Sequence, residues 1–62
     1  MRYSEVKKIL RSNGCYKLRE GKRHEMWYSP ITGNQFPVGR HDSQEAKTPT
    51  LHDISEQSGV KF

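Results

Sequence analysis

A chain of 62 residues, 31% hydrophobic and 29% charged, can build only one small core, because folding at this size buries only about 60% of the unfolded surface. Its single cysteine, Cys15, excludes an internal disulfide, no Cys/His cluster has structural-zinc spacing, and no apolar run is long enough for a membrane span or a signal peptide. The expectation is one cytoplasmic domain over residues 1–62, marginal in stability and completed by a partner. The net charge of +4 hides an asymmetry: residues 1–23 carry eight Lys/Arg against two Glu, a local +6, and the remainder carries −2. Such a field suits a polyanion, or an acidic protein partner.

In chain order, Tyr3, Val6, Ile9 and Leu10 fall at helical spacing, with Ser4 as expected N-cap and Asn13-Gly14 as stop, which predicts a helix over 4–12. Residues 15–19 alternate as a strand, with Tyr16 and Leu18 on one face and Cys15, Lys17 and Arg19 on the other. A turn at 20–23 leads into a second strand over 24–29, and Pro30-Ile31-Thr32-Gly33-Asn34 carries hairpin chemistry into a third over about 35–38. Pro37 places that third strand at a sheet edge. The polar stretch 41–47 has no periodicity and reads as an exposed loop or a ragged continuation of the last strand, mobile in either case. Thr50 and Asp53 have capping-box spacing behind Pro49, so a second helix is expected from Thr50 to Ser58-Gly59, with a thin apolar stripe of Leu51 and Ile54. The predicted class is α+β: α-β-β-β-α, a three-stranded antiparallel sheet with two helices on one face.

His24 is the residue with the most chemistry. It follows the basic run Gly21-Lys22-Arg23 and opens a strand whose next residue, Glu25, points to the opposite face. Histidine exchanges protons near neutral pH, and neighbouring cations can hold a phosphate. RNA carries its own nucleophile, the 2′-hydroxyl, so a base and phosphate-holding cations suffice to start its cleavage. His24 is the expected base. Lys22, Arg23, Lys17, Arg19, Lys7 and Arg11 are the expected RNA-binding cations, with Arg23 able to fork onto a phosphate. The acid for the leaving group is open among His41, Tyr28 and Lys17; Tyr28 shares the His24 side of its strand by period two. His52 reads as an exposed helix residue, Cys15 as a small buried one, and Trp27, Tyr16 and Phe36 as core or partner-contact residues. His24, His41 and Asp42 lack metal-ligand spacing, so neither a metal nor another cofactor is expected.

The run from Gly21 through His24-Glu25-Met26-Trp27-Tyr28 to Gly33, then Phe36-Pro37-Val38-Gly39-Arg40-His41, then Thr50-Leu51 entering a helix that ends in Gly59, resembles the HicA family of toxin ribonucleases over nearly the whole chain. The resemblance implies a fold similar to the double-stranded RNA-binding domain. It also implies a messenger-RNA-cleaving activity dependent on one histidine, which aligns with His24, and neutralisation by a HicB antitoxin that would cover it. Family members commonly carry Gly-Ser before that histidine, where this chain has Lys22-Arg23, and often a proline where it has Gly39. Two other classes fit the residues: a non-catalytic RNA-binding module, which would bind without turnover, and a regulatory partner of a DNA-binding antitoxin, docking an acidic surface.

Overall fold

The computed structural model describes residues 1–62. Five elements follow one another: α1 (Tyr3–Ser12), β1 (Tyr16–Glu20), β2 (His24–Tyr28), β3 (Gln35–Gly39) and α2 (Thr48–Ser58). The strands form one antiparallel sheet in the order β1-β2-β3, so Pro37 stands on an edge strand, where its missing N–H disrupts no central ladder. Both helices contribute to the core: Tyr3, Val6 and Leu10 from α1 and Ile54 from α2 meet Trp27, Phe36 and Val38 of the sheet, with Cys15, Ala46 and Val60 closing the ends.

Helix α1 begins one residue earlier than its apolar spacing suggests, and Ser4 does not cap it. Arg2 is the N-cap, and its backbone N–H donates to Glu5 Oε1 at 3.1 Å. The free N–H groups of Tyr3 and Ser4 donate to the carbonyls of Gln44 and Asp42, each at 3.0 Å. Backbone carbonyls of a distant loop therefore replace the side-chain cap. This also corrects the expectation of a mobile stretch at 41–47. Arg2 forms an antiparallel bridge with Glu45, Ala46 N–H donates to the Met1 carbonyl at 2.8 Å, and the N-terminal ammonium pairs with the Glu45 carboxylate.

The first strand departs from simple alternation. Lys17 pairs with Trp27, but Arg19 pairs with Met26, so the register shifts between them. The extra residue, Leu18, forms a bulge that puts Lys17 and Arg19 on opposite faces of the sheet. Lys17 thus shares the Trp27 face, away from His24.

The core is organised around a polar centre. Trp27 is fully buried, and its Nε1–H donates to Glu25 Oε1 at 3.0 Å. The same carboxylate lies 3.2 Å from Lys7 Nζ, whose side chain is only 3% exposed. Lys7 also donates to Asp42 Oδ1 at 2.5 Å and to the Arg40 carbonyl at 3.5 Å. Arg11 places its guanidinium over the Trp27 ring, 5.3 Å from the centroid.

Helix α2 starts at Thr48 with Lys47 as N-cap, three residues before Thr50, the cap that the spacing suggests. Pro49 falls in its first turn, where no intrahelical N–H is required, so the proline starts the helix instead of blocking it. At the other end the β2–β3 turn clasps the helix: Ser29 Oγ donates to the Ser58 carbonyl at 2.5 Å, Thr32 Oγ1 to the Gln57 carbonyl at 2.6 Å, and Asn34 Nδ2 to the same Gln57 carbonyl at 3.3 Å. These bonds satisfy carbonyls that the helix leaves free, and they hold an element whose apolar stripe is thin.

Removing Glu25 strands both Lys7 and the Trp27 N–H. Glu25→Ala is expected to destabilise the chain by about 3 kcal/mol or more, and Glu25→Gln, which can still accept from Trp27, by clearly less, as read by urea unfolding. Lys7 holds the Asp42 carboxyl below its usual range, chiefly through their hydrogen bond. A lowered folded-state value means stabilisation that is complete above the usual aspartate range and is lost as pH falls from there through the lowered folded-state value. The melting temperature should therefore drop on acidification below about pH 4, and Asp42→Asn should lower it at neutral pH while flattening that acid limb.

Candidate functional site

His24 is exposed at the first position of β2 and faces Gly39 across the strand pair. The Tyr3 ring fills the space beside Gly39: a Cβ there would stand 2.6 Å from a ring carbon. A residue with any side chain would push Tyr3 away, so Gly39 is what lets α1 approach the strand pair at the level of His24. Around them opens a cleft of about 170 Å³, lined by His24, Tyr3, Pro37 and Gly39 on one side and by Thr50, Asp53, Ile54 and Gln57 of α2 on the other.

The turn that presents His24 is tightly set. Gly21 N–H donates to the His24 carbonyl at 2.7 Å, and a Cβ on Gly21 would lie 2.6 Å from that oxygen. Glycine is required one position before Lys22-Arg23, where it serves the approach to the histidine. Arg40 braces the same turn, donating from Nη1 to the Lys22 carbonyl at 2.9 Å and placing Nε 3.4 Å from Glu20 Oε2. Lys22 and Arg23 are exposed, and no carboxylate pairs with either. Two free cations thus sit immediately before an accessible imidazole.

The structure divides the other expected site residues. Lys7 is buried against Glu25 and Asp42. Lys17 Nζ lies 2.5 Å from Glu20 Oε1 and 3.8 Å from Glu25 Oε2. The Glu20 hydrogen bond raises the Lys17 pKa and lowers that of Glu20. Lys17 is therefore held protonated, on the face away from His24. Arg11 stacks on Trp27. Arg19 is exposed, on the same face as Met26. Tyr28 shares the His24 face but stands four residues on, about 13 Å along the strand, and its ring packs on Tyr16 with centroids 5.5 Å apart. His41 is exposed and does not line the cleft. The residues brought to the cleft with His24 are ones to which the sequence assigned helix roles or none: Tyr3, a core position of the first helix, Asp53, a capping residue, and Gln57. Asp53 does not reach back to a helix N-cap; its carboxylate makes no intramolecular hydrogen bond or ion pair.

Residues 3–60 match the family described as the HicA toxin of bacterial toxin-antitoxin systems. The chain belongs to the HicA toxin family. It is accordingly a toxin of the toxin-antitoxin type, in a family known for cleaving messenger RNA, with RNA as target and an antitoxin as partner. No curated protein and no solved structure matches it. No helix of this HicA toxin is long and apolar enough to cross a membrane.

Because Gly21 is tied to the His24 carbonyl, Gly21→Ala should displace the hairpin. We expect shifts of the His24 imidazole resonances and of the backbone amides of residues 20–24 in NMR spectra, with the α2 amides unmoved; Arg40→Ala should produce a smaller displacement of the same set.

Proposed function

We propose that this HicA toxin cleaves messenger RNA in the cytoplasm without a metal, with His24 as general base, and that a HicB-like antitoxin silences it by covering that histidine. The observation that carries the reading is the exposed imidazole at the mouth of a cleft, directly preceded by two cations without carboxylate partners. His24 takes the proton of a ribose 2′-hydroxyl; the 2′-oxygen attacks the adjacent phosphorus as the bond to the 5′-oxygen breaks. The products are a 2′,3′-cyclic phosphate and a 5′-hydroxyl, the departing oxygen taking its proton from solvent. Lys22 and Arg23 stabilise the charge that gathers on the phosphoryl oxygens, and Arg23 can do so through a two-point fork. Arg19 extends the cationic surface along the exposed sheet. Lys7 and Lys17 are engaged by carboxylates and take no part. Tyr28 and His41 stand outside the cleft and are not assigned the acid role.

The test is cleavage of end-labelled single-stranded RNA by the wild type and by His24→Ala, with and without a chelator. Chelator-resistant cleavage giving cyclic-phosphate ends, reduced about 10²-fold or more in the variant, is the expected result. Undiminished cleavage by the variant removes His24 from catalysis. RNA binding without any product moves the chain to the class of non-catalytic RNA-binding modules.

A further inference from the structure

We infer that the cleft beside His24 is a base-reading pocket, which takes one nucleobase bearing an exocyclic amine and disfavours uracil. The inference rests on the RNA-cleaving reading and names what positions the strand for it. Thr50, Asp53, Ile54 and Gln57 recur at i, i+3, i+4 and i+7 and so share one face of α2, the spacing at which a helix normally buries apolar residues. Three of the four are polar, and this face lines the cleft. The Asp53 carboxylate and the Gln57 side-chain amide are both free of intramolecular partners, although the Gln57 backbone carbonyl is engaged by Thr32 and Asn34. The rest of the lining is His24 and Gly39 with exposed Pro37 and the core residues Tyr3 and Phe36, which are 9% and 1% exposed.

At about 170 Å³ the cleft is smaller than the roughly 300–1,000 Å³ of pockets for drug-sized ligands. It fits one flat ring system and not a whole nucleotide. Its charge decides which part of the RNA enters. A free carboxylate repels phosphate, so the phosphate belongs with Lys22 and Arg23 and the base with Asp53. Pro37 and Tyr3 offer apolar contact, while the carboxylate accepts from an N–H donor on the base edge and the Gln57 amide supplies a donor and an acceptor beside it. Adenine, cytosine and guanine all present an exocyclic amine to such an acceptor. Uracil presents carbonyl oxygens on both sides of its one N–H, which face a carboxylate unfavourably.

The measurement is an amide NMR titration of the full chain with AMP, CMP, GMP and UMP, which contain no internucleotide bond to cleave, and with inorganic phosphate as control. The amine-bearing nucleotides should shift the Tyr3, Asp53 and Gln57 amides, with UMP about tenfold weaker, the cost of losing one hydrogen bond to a charged group. Asp53→Asn, which replaces an acceptor with an amide, should bring UMP level with the others. Equal shifts from all four nucleotides, shifts confined to residues 22–24 and reproduced by phosphate, or no shifts would each overturn the pocket. The two readings fail separately. A chain that binds amine-bearing nucleotides but cleaves no RNA keeps the pocket and loses the nuclease, whereas one that cleaves RNA while leaving Tyr3, Asp53 and Gln57 unmoved loses the pocket alone.

Discussion

The buried ammonium of Lys7 is the interaction on which the rest of the structure depends. It joins α1 to the Glu25 carboxylate of β2 and to Asp42 in the loop after β3, and Glu25 in turn receives the Trp27 indole N–H. Side chains along a strand alternate with a period of two, so a one-residue slip would carry Glu25 and Trp27 out to solvent and turn His24 inward. Such a slip would leave a buried ammonium without one of its carboxylates, at a cost well beyond that of losing an exposed pair. The network thus fixes which face of β2 carries the histidine. A cation that composition suggests for RNA binding instead determines where the imidazole points.

A chain this short lacks the apolar area to hold every element by burial, and polar clasps supply what is missing. The start of α1 and the loop after β3 complete each other's hydrogen bonds, so the loop is ordered because the helix needs its carbonyls. The end of α2 is held by Ser29, Thr32 and Asn34. Since α2 forms one wall of the cleft, the turn that anchors its C-terminal end also sets the distance between Asp53 and His24. The clasped residue Gln57 itself lines the cleft, so the hydrogen bonds of the turn act on the site directly.

The element order, the edge position of Pro37, the stop at Asn13-Gly14 and the start of the second strand at His24 were all legible in the sequence, because each rests on local chemistry: periodicity, a missing N–H, a turn dipeptide, a change from turn to strand residues. What was not legible depends on partners far along the chain. The cap of α1 comes from residues 42 and 44, some forty positions away. The bulge at Leu18 leaves no mark in an alternating pattern. Pro49 has two permitted positions, before a helix or within its first turn, and only packing chooses between them. Lys7 and Lys17 are indistinguishable from Lys22 as letters; Glu25, Asp42 and Glu20 separate them. One signal was available: three polar residues at core spacing on α2, which an amphipathic helix places there only where that face is not fully buried.

These carboxylates also sharpen the electrostatics. The +6 of the first 23 residues is distributed evenly along the sequence, but in three dimensions Glu25, Asp42 and Glu20 neutralise Lys7 and Lys17 on the face away from His24. The cations of that segment left without a carboxylate partner are Arg2, Lys8, Arg11, Arg19, Lys22 and Arg23, and of these Lys22 and Arg23 immediately precede His24. On the proposed reading, that pair would draw RNA toward the imidazole. The same pair constrains any inhibitor. A protein that covers His24 must also remove water from Lys22 and Arg23, and two desolvated cations without partners would cost more than apolar contact there returns. Such a protein has to bring carboxylates to the turn, at the positions the RNA phosphates would occupy. Inhibitor and RNA are then mutually exclusive on electrostatic grounds, before any steric overlap is considered.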